Sequence, residues 1–375
     1  MTRCVSIHGF LLASALCSIG SLAAAQTYQL IDLGSLGGNR STAAAINESG
    51  EVTGSSYEDP LGVTTRAFLY SDGVMRSLGT LGGDSWGYGI NAAGQVVGTS
   101  FAGQPLGWSV TLFSGGTVQS LGTLGGDFSS TGYGINDRGQ ITGSSAISRE
   151  GGAHAFLYDA GMLRDLGTLG GPNSVGSAIT ADGRVVGNSN TGDGQTRAFL
   201  YSNGTMTNLG SLGGSVSEAT AINEQGQIVG WSYTGNNVHA FLYDHGSMQD
   251  IDPSSGGTYS WAWGINESGD IVGSATRGLD TFAFLYRNGR LLDLNGLLDP
   301  LGSKGWDVFD ARGINDSGQI AATALFGESM HAVLLTPAVP EPATWATMLL
   351  GVGLLVGGLR GQHSRRSMPQ FTPVP

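Results

Sequence analysis

A ten-residue phrase, Ala-Ile-Asn-Glu-Gln-Gly-Gln-Ile-Val-Gly at 221–230, recurs in variant form seven times along this chain. Its isoleucine falls at Ile46, Ile90, Ile135, Ile179, Ile222, Ile265 and Ile314. Successive copies lie 43–45 residues apart, with one longer gap before the last. A period of that length means stacked supersecondary units, none of which buries its apolar surface alone.

Alternation and turn chemistry divide each unit into four short strands. In the fifth copy the first strand is expected at 217–222 and the second at 227–233, joined by a turn at Asn223 to Gly226. The third is expected at 239–243, and after a turn holding Gly246 the fourth starts at Ser247. Asparagine bonds its own backbone two residues on, and a glycine three positions later tolerates positive φ. That glycine stands in all seven copies: Gly50, Gly94, Gly139, Gly183, Gly226, Gly269 and Gly318. The pattern supplies too few carboxylates for a calcium loop, and Ala92-Ala93 supplies none.

The first strand carries the strongest architectural signal. One residue before each isoleucine stand Ala45, Gly89, Gly134, Ala178, Ala221, Gly264 and Gly313. Three residues before it stand Ala43, Gly87, Gly132, Gly176, Ala219, Ala262 and Ala311. In a regular strand these positions share one face, and a face restricted to glycine and alanine predicts strands crowded round a common axis. The position between them varies freely: Ala44, Tyr88, Tyr133, Ser177, Thr220, Trp263 and Arg312. The third strand is apolar on both faces, as in Ala67-Phe68-Leu69-Tyr70 and Ala155-Phe156-Leu157-Tyr158, which implies cover on both sides.

Four-stranded sheets packed face to face round an axis satisfy both observations. The chain after Gln26 begins with a fourth-type strand (28–33) and ends with a third-type strand (331–335). The first can complete the last blade. The expected fold is all-β: a seven-bladed β-propeller of four-stranded blades over residues 26–338, closed by the N-terminal strand. A β-helix or open array is the alternative, and it lacks this closure.

The 64 glycines among 375 residues recur at fixed places in the repeat, which separates the chain from low-complexity disorder. Residues 26–338 hold 13 basic and 28 acidic groups, a net charge of −15. No basic footprint for a phosphate backbone exists, so nucleic acid is not an expected partner. Cys4 and Cys17 both precede residue 26, leaving the repeats without thiol or disulfide chemistry.

Residues 1–25 read as a secretory signal peptide: Arg3, an apolar run, then Ala23-Ala24-Ala25 before Gln26. At the other end, Val339-Pro340-Glu341-Pro342-Ala343-Thr344-Trp345 leads into an apolar run ending at Leu359, followed by Arg360, Arg365 and Arg366. The 17 residues 343–359 would make about 25 Å of helix, the short limit for a membrane span. Arginines beyond the span favour holding that end in the cytoplasm, with the repeats outside. Residues 339–375 resemble the PEP-CTERM sorting signal of exported bacterial proteins, with Pro340, Glu341, Pro342 and Arg360 at its characteristic positions. The chain runs on to Pro375, further than that family usually does. The resemblance implies recognition and removal by exosortase, transient anchoring in the inner membrane, and a final place at the cell surface or outside the cell. It also implies a setting of extracellular polysaccharide.

Through Leu-Gly-Thr-Leu-Gly-Gly and His-Ala-Phe-Leu-Tyr, residues 28–336 resemble the HAF-repeat family of extracellular bacterial proteins. Copies six and seven depart, with Ile251-Asp-Pro-Ser-Ser-Gly-Gly257 and Leu294-Asn-Gly-Leu-Leu in place of the first stretch. That family implies export and repetition without an established activity.

Variable loops on a rigid scaffold are where function concentrates. The loops after the Gly-Gly pairs carry Asp84-Ser-Trp86, Asp127-Phe128, Tyr259-Ser-Trp261 and Trp306-Asp307-Val-Phe309; other loops carry Tyr57, Glu58, Asp59 and Trp108. Aromatics beside carboxylates suit a sugar ring, and equally suit packing between blades. Trp86, Trp261, Trp306, Asp84 and Asp307 are the candidate ligand-binding residues. His154, His239 and His331 exchange with Arg66, Arg197, Phe282 and Ser109 at one repeat position, which reads as a structural site. No nucleophile elbow, phosphate loop, metal-ligand spacing or cofactor motif is present. The expected function is a non-enzymatic surface or matrix protein binding polysaccharide or a surface protein through its loop face. The alternative is a carbohydrate-active enzyme, hydrolase or lyase, using Asp84, Asp307 or Asp310 near a central channel.

Overall fold

The computed structural model describes residues 26–103, 107–125, 129–148, 151–252 and 259–338. The signal peptide, residues 1–25, and the sorting tail, 339–375, with its helix at 343–359 and Pro340, Glu341, Pro342 and Arg360, lie outside them, as do Asp127 and Phe128.

Seven antiparallel four-stranded sheets form a ring, six of them running in simple sequence order outward from the axis. Blade 1 is typical: Ser41–Ile46, Val52–Tyr57, Thr65–Ser71 and Val74–Ser77. Blade 7 takes Trp306–Ile314, Ile320–Phe326 and Ser329–Pro337 from the end of the chain, and Tyr28–Asp32 from its start as the outer strand. The closing pair is antiparallel, with Leu30 opposite Leu335 and Tyr28 opposite Pro337. The ring is therefore a closed seven-bladed propeller. Among the described residues the one helical element is a 3-10 turn, Leu294–Leu297, where copy six departs from the repeat; no described helix is long and apolar enough to cross a membrane.

Third strands are covered on both sides. Phe68, Phe156, Phe199, Phe241 and Phe284 are fully buried, each opposite a second-strand glycine, as Phe68 is opposite Gly54 and Phe284 opposite Gly273. Burying each ring contributes about 2–3 kcal/mol.

The small residues of the first strands do mark crowding, but they do not share one face. Every first strand carries a β-bulge between its two small positions, as between Gly132 and Gly134. The extra residue reverses the alternation. The earlier position packs on the preceding blade: a Cβ on Gly132 would lie 2.5 Å from Val97 Cγ2. The later one packs on the following blade: a Cβ on Gly89 would lie 2.6 Å from the Tyr133 carbonyl oxygen. Each strand is thus squeezed from both sides at adjacent points.

Two further repeat positions tie the blades. A buried serine stands five positions before the isoleucine in six first strands, and its hydroxyl accepts the backbone N–H of the preceding blade's third strand: Ala67 to Ser85, Val110 to Ser130, Ala155 to Ser174, Ala198 to Ser217, Ala240 to Ser260 and, across the closure, Ala332 to Ser41. In blade 7 an additional bulge between Val308 and Asp310 puts the buried Val308 in the serine's place, and Asn295 instead binds the Val308 backbone at 2.8 and 3.0 Å. At the hairpin end, the turn glycines adopt positive φ in all seven blades, from 70° at Gly94 to 88° at Gly183.

Candidate functional site

The bulge also determines what faces the axis. Its extra residue is the freely varying one, and it projects into the central space instead of against a neighbouring blade. Ala44, Tyr88, Tyr133, Ser177, Thr220, Trp263 and Arg312 thereby line a cavity of about 780 Å³ at the axis. Residues two positions earlier add Thr42, Trp86, Val175, Glu218 and Asp310, with Arg40, Phe309 and Met330 nearer the loops. No hairpin asparagine or glycine lines it, so it is a cup in the loop-face half of the ring.

Its wall is uneven. Tyr88 and Tyr133 sit with ring centroids 5.3 Å apart. Burial, with Tyr133 alongside, pushes the Tyr88 phenol up to about 12, and burial raises Tyr133 as well, so both remain hydrogen-bond donors. Across the ring, the Arg312 guanidinium lies 4.1 Å over Trp263 and binds Asp310 at 2.6 Å. Ser274 Oγ accepts from Trp263 Nε1 at 2.9 Å and donates to Asp310 at 3.2 Å, locking that quartet. Glu218, between these arcs, makes no ion pair or side-chain hydrogen bond to a described residue, and burial lifts its carboxyl above the usual range.

Trp86 is the hinge between the cup and the loop face. It lines both the cup and an adjoining cavity of about 300 Å³ with Arg40, Ser55 and Tyr57. Its ring lies 5.0 Å from that of Trp108, which lies 5.2 Å from Phe101. Trp108 and Phe101 line a groove of about 430 Å³ with Asp84 and Arg66, and Arg66 pairs with Glu58 at 3.1 Å. On the far side, Phe309 and Met330 connect the cup to a cavity of about 580 Å³ holding Asp280, Asp293 and Asp307.

The candidates named from sequence are therefore dispersed. Trp86 reaches the cup. Asp84 lines the outer groove, where its carboxylate accepts the Thr65 backbone N–H at 2.9 Å. Trp261 stacks on Tyr259 at 6.2 Å without lining the cup. Trp306 packs on Phe326 at 4.9 Å, on His331 at 5.6 Å and against the blade 7 core. Asp307 accepts from Asn295 Nδ2 at 3.2 Å. Asp84, Asp307 and Asp310 line three different cavities. Asp59 holds its own loop, accepting the N–H groups of Leu61, Val63 and Thr64. The three histidines each pair with a fourth-strand aspartate of their own blade, His154 with Asp165 at 2.8 Å, His239 with Asp250 at 2.7 Å and His331 with Asp32 at 2.9 Å. Among the described residues, no group of three or more histidine, cysteine or acidic side chains could hold a metal ion.

The cup residues Arg40, Glu218, Tyr133 and Arg312 were not candidates from sequence. For Tyr133 and Arg312 the signal was the free variation between two invariantly small positions, which acquires meaning only with the bulge; Arg40 and Glu218 lie ahead of that pair and had no such signal.

Among solved structures, the chain is similar to TolB from Acinetobacter baumannii at 15% identity, over 65% of this chain and 63% of that one, TM-score 0.46. It is similar to a mutant of AofleA from Arthrobotrys oligospora at 13% identity, over 72% and 89%, TM-score 0.40. It is also similar to dipeptidyl peptidase 4 from Porphyromonas gingivalis at 9% identity, over 70% and 47%, TM-score 0.39. The chain thus spans less than two thirds of the TolB structure's length. No curated protein matches the sequence. Residues 338–366 match the PEP-CTERM protein-sorting motif, which implies an exported protein processed at the membrane by exosortase.

Proposed function

We propose that this exported propeller is a non-enzymatic cell-surface or extracellular-matrix protein that binds polysaccharide through its loop face. The observation that carries this reading is the aromatic cup opening onto that face, continued outward by the Trp86–Trp108–Phe101 cluster. Concave, wet, aromatic surfaces with a few fixed polar groups suit sugar rings, whose faces are apolar and whose rims are hydroxyls. A surface protein is the other partner such a face admits.

The exit of the chain supports this orientation. Pro337 lies opposite Tyr28, beside the Asn315–Gln319 hairpin, where a Cβ on Gly318 would meet it at 3.4 Å. The Ala338 N–H binds the Thr27 carbonyl at 2.8 Å. Both ends thus leave from the hairpin face, and a tail anchored in a membrane would turn the cup outward.

The test is binding of purified residues 26–338 to the producing cell's extracellular polysaccharide, with newly released reducing ends assayed in parallel. Saturable binding that falls on Trp86→Ala, with no new ends, is the expected result. New reducing ends would replace this reading with a carbohydrate-active enzyme, and Glu218 and Asp310 would be the carboxylates to substitute first. Absence of binding would defeat the polysaccharide reading.

A further inference from the structure

We infer that the cup accepts a protonated amino sugar, its ammonium set on Glu218 and its ring against the aromatic wall. The inference rests on the polysaccharide-binding reading and names the sugar class.

Glu218 is out of place as a structural residue. The equivalent position in the other blades holds Thr42, Trp86, Thr131, Val175, Trp261 and Asp310, so the propeller does not require a carboxylate there. Of the two carboxylates in the cup, Asp310 is neutralised by Arg312, and Glu218 has no partner among the described residues. A half-buried carboxylate without a partner is costly to keep ionised, and burial does raise the Glu218 carboxyl. A ligand cation would offset that cost. Arg40, the remaining cation of the lining, stands exposed at the rim on blade 1 and leaves the blade 5 side to Glu218.

The rest of the wall fits a sugar. Ser177 and Asn188 offer hydroxyl and amide partners in the same cup, Thr220 giving its own hydroxyl proton to the Ala262 carbonyl at 2.8 Å, and Tyr88 and Tyr133 offer ring faces and phenol donors. A volume of about 780 Å³ is ample for a short oligosaccharide end. The net charge of −15 over residues 26–338 draws a polycation in and repels a polyuronide.

The experiment is calorimetric titration of the mature protein, isolated from its producing cell, with hexaglucosamine and with hexa-N-acetylglucosamine at one near-neutral pH. The free amine form is expected to bind about tenfold more tightly. Glu218→Gln should erase that preference and leave binding of the N-acetylated form unchanged. Glu267→Gln, on the hairpin face, should leave the preference intact. Equal binding of the two sugars, a preference that survives Glu218→Gln, or an equal loss in Glu267→Gln would overturn the inference, the last by reducing it to net-charge attraction. If the cell's own polysaccharide still binds in any of these cases, the broader reading stands without the amino sugar. If neither hexasaccharide nor polysaccharide binds, both fall together.

Discussion

The side-chain amide of Asn315 donates to the backbone carbonyl of Asn47 at 3.1 Å, joining residues that are 268 positions apart in the chain. The same bond passes from Asn47 to Asn91, Asn91 to Asn136, Asn136 to Thr180, Asn223 to Asn266 and Asn266 to Asn315. The turn asparagines thus form a buried belt round the hairpin end, each also accepting N–H groups of its own turn, as Asn315 accepts that of Gln319. One link is missing. The Thr180 hydroxyl is taken by Asp182, and Arg184 reaches the Glu224 carbonyl at 2.9 Å instead.

Asn315→Ala would leave the Gln319 N–H unsatisfied and strip one of the two bonds to the Asn47 carbonyl, which keeps the Gly50 N–H at 3.0 Å, and should destabilise the propeller by about 1–2 kcal/mol. Thr180→Asn, which completes the belt, should stabilise it by about 1 kcal/mol. Urea midpoints at constant slope would read both. A neutral Asn315→Ala would show that the belt merely accompanies the packing.

The closure depends on strand 28–32 in the same way. Tyr28 is fully buried, and without this strand Leu335 and Val333 lose cover while Ser329–Pro337 becomes a free edge. Deleting residues 26–32 should abolish cooperative unfolding and promote aggregation, seen by circular dichroism and size-exclusion chromatography. Ser41→Ala, which removes the closure's bond to the Ala332 N–H and the hydroxyl's bond to the Gly34 carbonyl, should cost about 1–2 kcal/mol and leave the ring intact.

Trp86 and Trp306 should separate binding from folding. Trp86→Ala strips one wall between the cup and the outer groove and should weaken polysaccharide binding about tenfold with a small change in stability. Trp306→Ala removes a ring packed on Phe326 and the blade 7 core and should cost about 3 kcal/mol of stability. Binding by whatever stays folded should be nearly unchanged. Opposite results would exchange their roles.

Burial raises the carboxyls of Glu218 and Glu48; Asp316, Glu267 and Asp137 push Glu48 up as well, against the lowering effect of its hydrogen bond from the Asp316 N–H. For such groups the folded state holds its proton more tightly than the unfolded chain. Their contribution is present below the unfolded value, near pH 4.3, and is lost as pH rises through the raised folded value. Asp182, lowered chiefly by the Thr180 hydroxyl, works the other way and loses its contribution as pH falls. The difference between wild type and Glu218→Gln isolates one group. The variant should gain stability relative to wild type as pH rises from about 4 to 7. A constant difference across that range would mean that Glu218 finds a partner in solution.

Cysteine labels can test which face points outward, since the chain has no cysteine after residue 17. Leu61 is 87% exposed on the loop face, and Ala93 is exposed in a hairpin turn. In the membrane-tethered precursor, a fluorophore at Ala93→Cys should transfer energy to a bilayer dye more efficiently than one at Leu61→Cys. Equal transfer would mean that the tail does not orient the ring.

Much of the fold was legible because a repeat amplifies weak local signals. The turn glycines are required by positive φ, and that requirement is local. The unmatched strand at each end of the chain announced the closure, because strand types can be counted without knowing how they pack. The site was less legible. Trp306 and Trp86 sit in similar loops, yet one packs on Phe326 and the other lines the cup, and only the neighbours supplied by other blades distinguish them.

The sequence by itself determined seven units, their four strands and the blade that borrows its last strand, since period, alternation and turn chemistry act within a few residues. The tertiary structure alone decided where the variable side chains point. A bulge between two small residues turns Tyr88, Tyr133, Trp263 and Arg312 toward the axis, where they meet Glu218, which stands ahead of the bulge in its own strand. The reason is geometric: a one-residue bulge reverses the face of every later side chain, and in each blade it lies between the two small residues that the neighbouring blades crowd.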